Sequence, residues 1–268
     1  LTIPLRLNID SISFSWVTEN KGPGGGIGRR AGFRYLWGQP RGSSSLLLGT
    51  IDEVLDRAGT RIVFLVIELH SGDLPDNVEF GESVAIDTET QGLNTLRDRL
   101  CVVQLSGRDG VCHLVHFPTP EYDAPNLRRL IEDTSVLKLF HFARFDIAAL
   151  NHYLGTECRP VYCTKIASRL IRTYTDRHGL RELCREFLGV DLSKQQQSSD
   201  WAAPELTEAQ MEYAAADVLH LHRLKDALDG RLAREGRTAF AQAAFDFLPT
   251  RAAMDIAGFE AQDIFAHS

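Results

Sequence analysis

The stretch Ser83-Val84-Ala85-Ile86-Asp87-Thr88-Glu89-Thr90 constrains this chain more than any other. Its apolar first half reads as a buried strand, and its second half delivers two carboxylates. Residues two apart on a strand share a face, so Asp87 and Glu89 leave the end of the strand aimed at one region of space. Two carboxylates held that close repel each other, and a bound cation relieves the repulsion. A lone D-x-E at a strand end serves equally well as a solvated rim or a helix cap. The choice between these readings depends on residues further along the chain.

The chain has 268 residues, of which 44% are hydrophobic, enough to pack a sizeable core. The formal net charge of −7 speaks against a non-specific polyanion binder. That charge is uneven: residues 1–50 carry six Lys/Arg against two acids, which leaves −11 for the remainder. An acidic body is still compatible with a nucleic-acid substrate, because divalent cations offset a site built from carboxylates. The five cysteines, Cys101, Cys112, Cys158, Cys163 and Cys184, are odd in number and contain no C-x2-C pair. This predicts reduced thiols, a soluble protein and a cytoplasmic location. The longest apolar run, Ile62 to Ile67, is too short to span a bilayer.

Residues 1–60 have the composition of a linker, with a glycine cluster at 22–28 and serines at 43–45, and they predict a disordered or non-native extension. The glycines spell neither G-x-G-x-x-G nor a phosphate-binding loop. Ordered sequence is expected over 61–258, with 259–268 as a tail. Strands are expected at 83–90, 100–106, 111–117 and 136–141, the three from 83 to 117 as antiparallel neighbours, with ordered sequence beginning near 62–69. Helices are expected at 124–133, 143–154, 164–174, 180–188, 239–256, and as one long element over 207–235. Hairpin-linked strands, then alternating helix and strand, then helices, give an α/β architecture with a mixed central sheet flanked by helices.

Two further acidic positions are candidates to complete a site. Asp146, in His141-Phe142-Ala143-Arg144-Phe145-Asp146, sits in the first turn of the helix after the fourth strand-like run, where open α/β sheets gather ligands. A carboxylate there also stabilises its own helix N-terminus. In Tyr213-Ala214-Ala215-Ala216-Asp217, the i, i+4 spacing places Tyr213 and Asp217 on one helix face, with small alanines that permit close approach to a sheet. That pair is equally at home on a solvated flank. Near these groups, Thr90, Gln91 and His141 are candidates to touch a substrate, Lys194 to contact phosphate, and Trp201 to stack a terminal base. His113 and His116 face opposite ways along one strand and do not form a metal pair.

Together, D-T-E-T at 87–90, H-F-A-R-F-D at 141–146 and Y-A-A-A-D at 213–217 have the order and approximate spacing of the three exonuclease motifs of the DEDD superfamily. The chain resembles a ribonuclease D-type 3′–5′ exonuclease of the tyrosine branch, over about residues 66–248. The resemblance implies a ribonuclease H-like fold and hydrolysis of phosphodiester bonds from a 3′ end. It implies two divalent cations, Mg²⁺ or Mn²⁺, one held by Asp87, Glu89 and Asp217 and the other hydrated under the control of Asp146. Tyr213 would orient the attacking water. RNA is the expected substrate, DNA the enzymatic alternative, and a catalytically silent nucleic-acid-binding module the alternative from another class. Ribonuclease D proper carries helical nucleic-acid-binding domains after the nuclease domain, and no counterpart of these is expected within residues 1–268.

Overall fold

A computed structural model describes residues 66–193 and 195–267, together with the backbone of two short strands, β1 (Val54–Leu55) and β2 (Arg61–Ile62), which pair antiparallel. The expectation for the remainder of 1–60 lies outside the described residues, as does Lys194.

Six strands form one mixed sheet in the order β3-β6-β5-β4-β7-β8. The centre is the predicted antiparallel trio: β4 (Ser83–Thr90), β5 (Leu100–Ser106) and β6 (Val111–His116). Val84, Ala85 and Ile86 are fully buried, and every residue of β5 is buried, as a strand covered on both faces requires. Strands β7 (Leu137–Phe140) and β8 (Val161–Cys163) extend one side in parallel with β4. On the other edge, β3 (Val66–Ser71) lies parallel to β6.

Helices cover both faces. The first, α1 (Pro125–Glu132), starts at a proline suited to the opening turn. It is followed by α2 (Ala143–Leu154), closed by Gly155 at a φ of 67°, and α3 (Thr164–Ile171). The segment expected as one helix at 180–188 is a short α4 (Leu180–Leu183) running into a wider π turn, Cys184–Leu188.

The largest correction concerns residues 207–235. Instead of one helix there are two, α5 (Glu208–Leu219) and α6 (Leu221–Arg234), broken at His220, where φ is −101° and ψ −6°. No glycine or proline marks the break. It is imposed by tertiary packing, since Val218, Leu221 and Leu224 are all fully buried across it. The start of α5 was legible: Thr207 and Gln210 form a reciprocal capping box. The last long helix, α7 (Thr238–Met254), packs on α2, and the chain after it is tied back by Arg144 and Arg251, which donate to the carbonyl of Glu260.

All five cysteines are buried and free. No helix among the described residues is long and apolar enough to cross a membrane.

Candidate active site

Strand β4 ends in the carboxylates the sequence singles out. Asp87 stands opposite Gln104 of β5, and Glu89 opposite Val102, before the register shifts between Glu89 and Thr90. That irregularity lets the strand bend away just past the two acids. Helix α5 crosses β4, β5 and β6, and its Ala214 and Ala215 are fully buried, so its backbone lies close to the sheet. This approach delivers Asp217 to the strand end: oxygens of Asp87, Glu89 and Asp217 all lie within 4.8 Å of one another. Asp146 arrives from α2 and is buried at 3% exposure, with Thr88 Oγ1 donating to its Oδ1 at 2.7 Å. Tyr213 is one helical turn before Asp217, as the spacing predicts.

Burial dominates the electrostatics. It pushes Asp146 up to about 7, against the opposing pull of the Thr88 hydroxyl. Asp217 is likewise raised to about 7 by burial, with the Tyr213 hydroxyl acting in the opposite direction. Glu89 is raised to about 9, first by burial and then by the charges of Asp217 and Asp146. Asp87 is raised well above the carboxylate range by burial and by all three other acids. Such a cluster holds protons, or a cation in their place. The donor set is all oxygen, which suits hard divalent ions such as Mg²⁺ and Mn²⁺ rather than zinc. The Tyr213 phenol is also raised, by burial first and then by Asp217, so it keeps its proton.

Asp87, Glu89, Tyr213 and Asp217 open onto a cavity of about 710 Å³. Thr90, Gln91 and His141 line it as expected; Gln91 is exposed, and Thr90 Oγ1 donates to the Gly92 carbonyl. A side chain at Gly92 would put its Cβ 2.3 Å from Asp98 Oδ2, so Asp98 would have to move to admit it. His141 shares a hydrogen bond with Thr164 Oγ1 at 2.9 Å, and burial lowers it to about 3, which keeps the ring neutral. Trp201, expected to stack a terminal base, lines the cavity but is only 2% exposed, its ring packed 6.1 Å from that of Tyr213.

Other residues of the site carry little sequence signal. Thr88, between the two acids of the strand, donates to Asp146. Gln104 is fully buried, with Nε2 3.5 Å from Asp87 Oδ2, and only the cross-strand register reveals that pairing. Lys165 and Arg181 bring positive charge to the cavity wall, the former 4.1 Å over the ring of Phe142. Phe142 itself adopts a left-handed backbone, φ 73°, at the start of α2 and is 44% exposed. Leu93, 86% exposed, also lines the cavity.

Comparison with known proteins agrees with this geometry. The family described as 3′–5′ exonuclease matches residues 72–233. Ribonuclease D of Granulibacter bethesdensis is 36% identical over 157 residues, covering 59% of this chain and 39% of that protein, so the chain spans about two fifths of the length of such curated relatives. NrnC of Brucella melitensis, in a structure bound to pGG, is 56% identical with a TM-score of 0.74, covering 76% of this chain and 100% of that one. It has also been solved with bound Mg²⁺. Escherichia coli RNase D, described as an exoribonuclease involved in structured RNA processing, is 26% identical with a TM-score of 0.56, covering 64% of this chain and 45% of that one. With a mixed six-stranded sheet like that of these ribonuclease H-like neighbours and carboxylates converging at its centre, the chain belongs to the 3′–5′ exonuclease family, in the ribonuclease D type of the DEDD superfamily.

Proposed function

We propose that this protein is a divalent-cation-dependent 3′–5′ exoribonuclease, with residues 61–258 as its nuclease domain. The single observation that carries the reading is the convergence of Asp87, Glu89 and Asp217 within 4.8 Å, at the wall of an open cavity. These three would hold one cation, and Asp146 would orient the hydration shell of a second. When bound, a cation pair supplies an activated water and offsets charge on the attacking and leaving oxygens of the phosphodiester. Tyr213, still protonated, positions the attacking water by hydrogen bonding rather than by taking its proton. Trp201 backs the Tyr213 ring and limits its freedom. Thr88 fixes the carboxyl of Asp146.

On the substrate side, Thr90, Gln91 and His141 line the cavity beside the acids, Lys165 and Arg181 offer cations for phosphate, and Lys194 is a further phosphate contact in our reading. The cavity volume of about 710 Å³ falls in the range of small-ligand pockets, about 300–1,000 Å³. It suits the last residues of a single strand rather than a duplex. The pGG bound by the Brucella neighbour favours a short RNA with a free 3′ end. Five free, buried thiols favour action in the cytoplasm.

The test is a labelled oligoribonucleotide series with Mg²⁺ or Mn²⁺. Stepwise shortening from a free 3′ end, arrest by a 3′ block and loss of activity with chelator are the expected results. Cleavage that ignores the block, or survives chelation, would overturn the reading. Faster degradation of a matched DNA 3′ end would replace RNA by DNA as the substrate. No cleavage of either would leave a binding module.

A further inference from the structure

A second set of converging ligands lies elsewhere on the sheet. Strand register places Asp87, Gln104, Leu114 and Leu69 side by side across β4, β5, β6 and β3, on one face. Glu68 stands directly opposite His113, one residue out of phase with that row, so both project from the other face. His70, two residues after Glu68 on β3, shares their face. The three meet in one corner. His70 Nε2 is 3.0 Å from His113 Nδ1, His113 Nδ1 is 3.3 Å from Glu68 Oε2, and His70 Nε2 is 3.8 Å from the same oxygen. Both imidazoles are buried, at 8% exposure each, and the Phe80 ring packs edge-on against His113.

Two buried imidazole nitrogens pointed at each other are satisfied only when one of them donates, and the carboxylate adds a third acceptor at the same point. A point equidistant from the three ligand atoms lies about 2.0 Å from each, inside the range of zinc bonds to nitrogen and oxygen, roughly 2.0–2.2 Å. Imidazole ligands favour borderline ions over Mg²⁺ or Mn²⁺. Glu68 is half exposed, which leaves room for a water as fourth ligand.

We infer that Glu68, His70 and His113 form a structural site for a zinc-class divalent cation, separate from the carboxylate cluster, that fastens the edge strand β3 to β6. The cation replaces the proton shared by the two rings and is released or bound without any change in the acids of β4. Because β3 has one neighbour in the described sheet, a cross-strand cation adds a tether where backbone pairing is one-sided.

The experiment uses the full chain carrying Asp87→Asn and Asp217→Asn, so that the carboxylate cluster no longer competes for metal. After chelator treatment and dialysis, Zn²⁺ is added and bound metal is counted by mass spectrometry and isothermal titration. One zinc per chain is expected, with a rise of several degrees in melting temperature. His70→Gln with His113→Gln should abolish the zinc and the rise. Glu68→Gln, at a half-exposed position where folding is not at risk, should weaken binding about 10- to 100-fold. Melting curves in chelator establish that each variant folds. Co²⁺ added to the same background should give the intense visible bands of a four-coordinate site, lost in the histidine variants. Absence of stoichiometric zinc, or zinc that survives both histidine replacements, overturns the inference and leaves the two rings as a simple hydrogen-bonded pair. Neither outcome depends on nuclease activity, so the family reading stands or falls separately.

Discussion

The two ligand clusters of this sheet differ in nearly every respect that matters to a cation. At the end of β4, carboxylates from three separate elements converge, all of them raised by burial, and Asp87, Glu89 and Asp146 by neighbouring acids as well. At the β3–β6 edge, two imidazoles and one carboxylate converge from adjacent strands, and Glu68 is lowered, chiefly by its hydrogen bond with His113. The first cluster is strained without a cation, whereas the second is already satisfied by a shared proton. A cation at the first therefore relieves repulsion and belongs to chemistry. One at the second exchanges for a proton and belongs to architecture.

This contrast can be broken most forcefully at the acids. Asp87→Ala or Asp217→Ala should reduce 3′-end cleavage by roughly a thousandfold or more, the scale of losing cation-based charge stabilisation. His113→Gln should leave the cleavage rate within about twofold. Gel assays of both variants with Mn²⁺ check this, and equal losses would erase the distinction. Next in size, Tyr213→Phe should lower kcat about 100-fold with little change in the Mg²⁺ concentration for half-maximal activity, because the hydroxyl orients water and binds no cation. A shift in the metal requirement instead would make Tyr213 part of the metal site.

The third prediction concerns pH. Carboxylates that titrate near 4 when unfolded and near 7 or 9 when folded bind more protons in the native state. Their contribution to stability is fully present below about pH 4 and is lost as pH rises through 7 and toward 9. In chelator, the melting temperature should therefore fall by several degrees between pH 5.5 and 8.5, and saturating Mg²⁺ should flatten the slope. Persistence of the slope in the Asp87→Asn, Asp217→Asn protein would assign it to other groups. The smallest effect is expected from Thr88→Val, which removes one hydrogen bond to Asp146, about 1 kcal/mol, and should lower cleavage less than tenfold.

Much of this was legible before any coordinates. Val84 to Ile86 announce a buried strand, alternation places Asp87 and Glu89 together, and i, i+4 spacing places Tyr213 above Asp217. What could not be read depended on neighbours distant in sequence. Strand β8 has three residues, too few for a period to show. The kink at His220 is enforced by packing of Val218 and Leu221, both ordinary helix residues. Trp201 reads as a stacking candidate because tryptophan is large and amphipathic; its burial beside Tyr213 is a property of the assembled core. His113 was judged against His116, its neighbour along the strand, and only the parallel pairing of β3 with β6 reveals His70 as its partner.

The kink at His220 also shapes the field around the acids. An unbroken helix over 207–235 would place its negative pole about five turns beyond Asp217. Because α5 stops at Leu219, its negative pole sits within a turn of that carboxylate, the equivalent of about half an electron's charge. The backbone thereby acts as an additional anionic partner for a metal, one that no side-chain replacement removes and that added salt weakens.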